Sequence, residues 1–148
     1  MLFSNRTFEV ETRTKDLAPF RNEFRGLLEN SGFDSKVVHD ILLSVDEVLT
    51  NVIRHAYKEP NEKKAPSKIR IIFSDFKDRL VILIEDHGTC FDPCKMSPPE
   101  LPPKKPGGLG IHLFRSLMDE VNYKPLHPKG NQLQLIKYKK GKESTKRQ

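Results

Sequence analysis

Three short stretches combine residue types and spacings that chemistry could use. Glu47 and Asn51 stand four apart in Glu47-Val48-Leu49-Thr50-Asn51, so on a helix they lie one turn apart on one face. Taken alone, such a pair is better read as an ordinary solvated polar face. Asp86-His87-Gly88-Thr89-Cys90-Phe91-Asp92-Pro93 follows directly on the apolar run Leu80 to Ile84 and reads as a strand-ending turn that carries a carboxylate. Gly107-Gly108-Leu109-Gly110 precedes a helical pattern. Taken alone, it reads as an ordinary helix-start turn. Cys90 and Cys94, with His87 nearby, fall short of the four ligands of a structural zinc site and read as two free thiols. The sequence holds no Gly-x-x-x-x-Gly-Lys-Ser/Thr, no third glycine after Gly108-x-Gly110, and neither the His-Arg-Asp nor the Asp-Phe-Gly signature of ordinary protein kinases.

The elements that must position these residues follow from periodicity. Phe8, Val10 and Thr12 alternate with polar neighbours and predict a first strand. Leu17, Phe20, Phe24, Leu27 and Leu28 recur at helical spacing, with Thr14 or Asp16 as the N-cap and Asn30-Ser31-Gly32 as the stop. Asp34 or Ser35 caps a longer helix whose stripe is Val38, Ile41, Leu42, Val45, Leu49, Val52, Ile53 and Ala56, ended by Pro60 and Asn61. Glu47, Asn51 and Arg54 fall on the face away from that stripe. Lys68 to Ser74 and Leu80 to Glu85 predict a hairpin, and the second strand, apolar on both faces, should be internal to its sheet. Six of the eleven prolines lie between Pro93 and Pro106, which predicts an exposed loop. Gly110, Leu113, Phe114, Leu117, Met118 and Val121 form a third helical stripe. Leu133 and Leu135 mark a last strand after the turn Pro128-Lys129-Gly130-Asn131, so one or two strands close the chain. This order predicts an α+β fold with helices layered on one face of a sheet.

With 148 residues, 36% of them hydrophobic and 31% charged, the chain is sized for one globular domain. No apolar run approaches the roughly 20 residues of a membrane span, and the start lacks a secretory pattern, so the expected location is the cytoplasm with no membrane partner. Five of the six net positive charges lie between Lys137 and Gln148. The body of the chain is therefore nearly neutral, and nucleic acid is an unlikely partner.

Order and spacing together are more specific than any one stretch. The chain resembles the histidine-kinase-like ATPase superfamily (the GHKL, or Bergerat-fold, ATPases), and within it the anti-sigma-factor serine/threonine kinases. Glu47 to Tyr57 is similar to the N box, Asp86 to Pro93 to the first glycine box, and Gly107 to Leu113 to the second; Leu117-Met118-Asp119-Glu120-Val121 resembles the kinase branch. The resemblance implies a two-layer sandwich of helices on a mixed β-sheet over residues 1–141, followed by a basic tail, 142–148. ATP with Mg2+ would lie between the helical layer and a lid formed by the proline-rich segment.

On that resemblance Glu47 is the catalytic carboxylate that orients or deprotonates the acceptor hydroxyl. Asn51 is the magnesium ligand, Asp86 takes the adenine amino group, and Gly88 lets the backbone pass close to the base. Gly108, Leu109 and Gly110 line the phosphates, with Lys104 or Lys105 reaching them from the lid. Many members carry a second glycine where this chain has Cys90, whose side chain narrows the pocket or changes the loop's backbone angles. The implied function is a bacterial Mg-ATP-dependent protein kinase that phosphorylates an anti-sigma-factor antagonist and holds a sigma factor inactive. It would act in transcription regulation, and two copies would pair through the first strand and its surroundings. The alternative is a nucleotide-gated anti-sigma or adaptor module without efficient phosphoryl transfer.

Overall fold

A computed structural model of the chain describes residues 2–11, 17–56, 68–88 and 110–139. In chain order the elements are β1 (Leu2–Glu11), α1 (Leu17–Glu29), α2 (Ser35–Ala56), β2 (Lys68–Phe76), β3 (Arg79–Asp86), α3 (Gly110–Leu117), β4 (Glu120–Pro125) and β5 (Asn131–Tyr138). The architecture is the expected α+β layer of helices on a sheet. Thr14, Asp16, Pro60, Asn61, the proline-rich segment, Cys90, Cys94 and the tail lie outside the described residues.

The strands are ordered β1-β2-β3-β5-β4, which makes β3 internal, as its two apolar faces required. Every pairing is antiparallel, in place of the mixed sheet implied by resemblance. The reason is placement: β4 runs in the same direction as β3, but β5 inserts between them and removes the one parallel contact the chain order could have made. Alternation along the strands sends Phe8 and Val10, Ile69, Ile71 and Phe73, Leu80, Ile82 and Ile84, and Leu133 and Leu135 into the core.

The helices cover that face for reasons visible in their residues. In α1, Leu17, Phe20, Phe24 and Leu28 are buried, and Phe24 meets Phe8, Phe20 and Phe73 at ring-centroid distances of 6.0, 5.1 and 5.6 Å, within the favourable range for aromatic pairs. The chain leaves α1 through Gly32, whose φ of 89° suits glycine. Asp34 is the N-cap of α2, its Oδ1 accepting the Val37 N–H at 2.9 Å, and Arg21 Nε donates to Asp46 Oδ1 at 2.9 Å between α1 and α2.

The third helix is shorter than its apolar pattern implied. It ends at Leu117, and Val121 belongs to β4 instead, opposite Leu135. Backbone and side-chain bonds enforce the break: Asp119 N–H donates to the Ile136 carbonyl at 2.9 Å, Asp119 Oδ2 accepts the Tyr138 N–H at 2.7 Å, and Lys137 Nζ donates to the Leu117 carbonyl at 2.7 Å. The lysine places positive charge at the helix C-terminus, where the dipole favours it.

Buried carboxylates stand at both ends of the apolar β3 strand region. Where β3 begins, Lys139 pairs with the buried Asp75 at 2.6 Å and lies 5.0 Å from the ring centroid of Phe3. Where β3 finishes stands Asp86.

Candidate functional site

A narrow, partly open pocket with about 10 Å³ of free space lies between the helices and that finishing end of the sheet. Val48, Asn51 and Val52 of α2 and Phe114 of α3 wall it on the helical side; Ile84 and Asp86 of β3, Tyr123 of β4, and Asn131 and Leu133 of β5 form the sheet side. The apolar members exclude water. Of the polar ones, Tyr123 and Asn131 are linked to Asp86 by hydrogen bonds.

Asp86 is fully buried. Its Oδ1 accepts the Gly88 N–H at 2.8 Å and the Asn131 Nδ2–H at 3.0 Å, whereas Oδ2 is buried without a hydrogen-bond partner among the described residues. Burial pushes the carboxyl pKa up, opposed by donation from Asn131 and Gly88 and by the charge of His87. A buried acceptor with nothing to accept is uncommon and asks for a donor from outside the fold.

Asn51 departs from the sequence expectation. Helical periodicity puts it on the face away from the core, yet it is only 2% exposed, and its Nδ2 also lacks a partner among the described residues. The cause is long-range: α3 packs against α2, and Phe114 of α3 shares a pocket with Asn51. Glu47, one turn earlier, stays half-exposed outside the pocket. Partial burial and then the neighbouring Asp46 carboxylate raise its pKa, with Arg54 pulling it back. Arg54 is exposed, as expected.

Of the other expected site residues, Gly88 is buried beside Asp86 and Gly110 is the first residue of α3. Lys104, Lys105, Gly108 and Leu109 lie outside the described residues. Among the described residues, no three His, Cys, Asp or Glu side chains cluster as a self-sufficient metal site. Sequence reasoning missed Asn131, Tyr123 and Gly130. Asn131 precedes Leu133 and Leu135 on the inward register of β5, so a polar side chain in that alternation was the available signal. Gly130 has a φ of 123°, and a Cβ there would come within 2.5 Å of the Asp86 carbonyl oxygen. Only glycine lets the β4–β5 turn bring Asn131 against Asp86.

The family model described as the histidine kinase-like ATPase domain matches residues 10–137, a span that includes every described residue of this pocket. The chain belongs to the histidine kinase-like ATPase family. Within the family it is similar to the serine-protein kinase RsbW of Bacillus cereus strain AH187, 29% identical over 146 residues, covering 92% of this chain and 86% of the relative. Its similarity to the serine-protein kinase RsbW of Bacillus thuringiensis subsp. konkukian strain 97-27 is also 29%, over 147 residues, with the same two coverages. These similarities agree with the resemblance to the kinase branch of that family. Membership implies ATP as the nucleotide, and no helix among the described residues is long and apolar enough to cross a membrane.

Proposed function

We propose that the protein is a Mg-ATP-dependent serine/threonine kinase that phosphorylates an anti-sigma-factor antagonist and, when the antagonist is not available, sequesters a sigma factor. The observation that carries this reading is the partnerless Oδ2 of Asp86 in a pocket whose remaining lining is mainly apolar. An adenine ring needs flat apolar walls and, for its 6-amino group, one acceptor, and the residues present fit that need. Similarity to the RsbW serine-protein kinases over 92% of the chain supports the kinase branch.

In this reading Asp86 accepts the amino proton, and Gly88 leaves room for the base. Asn51, whose buried amide nitrogen has no partner among the described residues, would offer Nδ2 to the triphosphate and Oδ1 to its metal. Bound magnesium would supply neutralisation of phosphate charge. Gly108, Leu109 and Gly110 offer backbone N–H groups to the phosphates, with Lys104 and Lys105 adding charge from the proline-rich lid. Glu47, raised in pKa but half-exposed, accepts or orients the proton of the attacking hydroxyl. The protein would act in the bacterial cytoplasm, and β1, at the sheet edge, is the strand along which two copies would pair.

Glu47→Gln tests the chemistry, because it keeps the side chain's shape and removes its basicity. The mutant is expected to bind Mg-ATP as wild type does and to transfer labelled phosphate to the antagonist about 10²–10⁴-fold more slowly. Wild-type protein that binds both ATP and antagonist yet transfers nothing would leave the nucleotide-gated binding module in place of the kinase.

A further inference from the structure

The carboxylate of Asp86 is the end of a directional chain of hydrogen bonds. Tyr123 donates its O–H to Asn131 Oδ1 at 2.7 Å, and Asn131 Nδ2 donates to Asp86 Oδ1 at 3.0 Å. The strands set this up. Asn131 lies directly opposite Asp86 in the β3–β5 register, and Tyr123 lies opposite Leu133, two residues along from Asn131 on the same inward face. An amide has a donor end and an acceptor end. The tyrosine hydroxyl holds the acceptor end, which fixes the plane of the amide and polarises its N–H toward Oδ1. Oδ1 also takes the Gly88 N–H, so Oδ2 is the oxygen left without a partner among the described residues and free for a ligand's donor.

We propose that Tyr123 is a positioning residue that, through Asn131, aims Asp86 at the exocyclic amine of a purine and so sets the preference of the site for 6-amino purine nucleotides. The inference rests on the reading that the pocket takes adenine. Tyr123 is no catalytic residue here: its ring lines the pocket, and its contribution to selectivity travels through the hydroxyl.

The test is a nucleotide-binding titration of the full chain with Mg-ATP and with the Mg complex of purine riboside 5′-triphosphate, which carries hydrogen in place of the 6-amino group. Wild type is expected to prefer ATP. Tyr123→Phe keeps the ring and removes the hydroxyl; it should weaken ATP by about 3- to 10-fold, the size of one net hydrogen bond, while leaving the 6-H analogue unchanged. Asn131→Leu should shrink the same preference at least as far, and adding Tyr123→Phe to it should shrink the preference no further, since both act in one chain. Equal weakening of both nucleotides by Tyr123→Phe, or an undiminished preference, would overturn the positioning role. Absence of any preference in wild type would instead overturn the adenine reading itself, and the proposal with it.

Discussion

Burying an amide nitrogen without a partner costs about 1–3 kcal/mol, and that of Asn51 in α2 has none among the described residues. Asn51→Ala removes that cost along with some packing, so its unfolding free energy should be no lower than that of wild type, while calorimetry should detect no magnesium-dependent ATP binding. Retained Mg-ATP affinity would take Asn51 out of the site. Asp86 makes the parallel case for charge. Its pKa is raised in the folded chain, so the folded state holds the proton to higher pH than the unfolded state does. The stability this contributes is complete below the ordinary carboxylate pKa and is lost as pH rises through the raised value. Urea unfolding of wild type and Asp86→Asn without nucleotide should therefore show wild type losing stability relative to the mutant as pH climbs from 4 to 7. Parallel profiles would mean that the carboxylate is not desolvated.

At the level of elements, the β4–β5 turn is the piece on which the pocket depends most. Gly130→Ala imposes a left-handed φ on an alanine and drives its Cβ toward the Asp86 carbonyl. Denaturant titration should show a loss of at least about 1–2 kcal/mol, with weaker ATP binding because Asn131 and Asp86 are pushed apart. A stable Ala variant with normal affinity would show that the turn relaxes without disturbing the sheet. This turn was hard to read in advance because its importance is a contact between residues 44 apart. Local patterns were legible: the α1 and α2 stripes, the Asp34 cap and the β2–β3 hairpin follow from spacing alone. Val121 was ambiguous for a physical reason, fitting the i+3/i+4 stripe after Leu117 and Met118 as well as the alternation with Tyr123. Asn51 was misplaced because burial at the flank of α2 is decided by α3, more than 50 residues later. Asp86 and Gly88 are singled out by their motif, whereas Asn131 and Tyr123, which hold Asp86, belong to no motif and emerge only from strand register.

Across the whole molecule, the last described strand closes at Tyr138 on Asp119 and Lys137 on the end of α3, so the structural work of β5 is complete before the basic tail. Deleting Lys142 to Gln148 should leave phosphate transfer to the antagonist nearly unchanged in a labelled-ATP assay. A folded but inactive truncation would extend the catalytic domain into the tail, and lost salt-sensitive binding to DNA or RNA would give the tail a nucleic-acid role. The contact of Lys139 with Phe3 and Asp75 also has a practical side. It sits at one end of the sheet, and Asp86 sits at the other, seven strand steps or roughly 23 Å away at about 3.3 Å per step. That end is where a fluorophore or a surface tether belongs: a molecule anchored there presents its pocket outward to solution, so immobilised and freely diffusing protein should report the same nucleotide affinity.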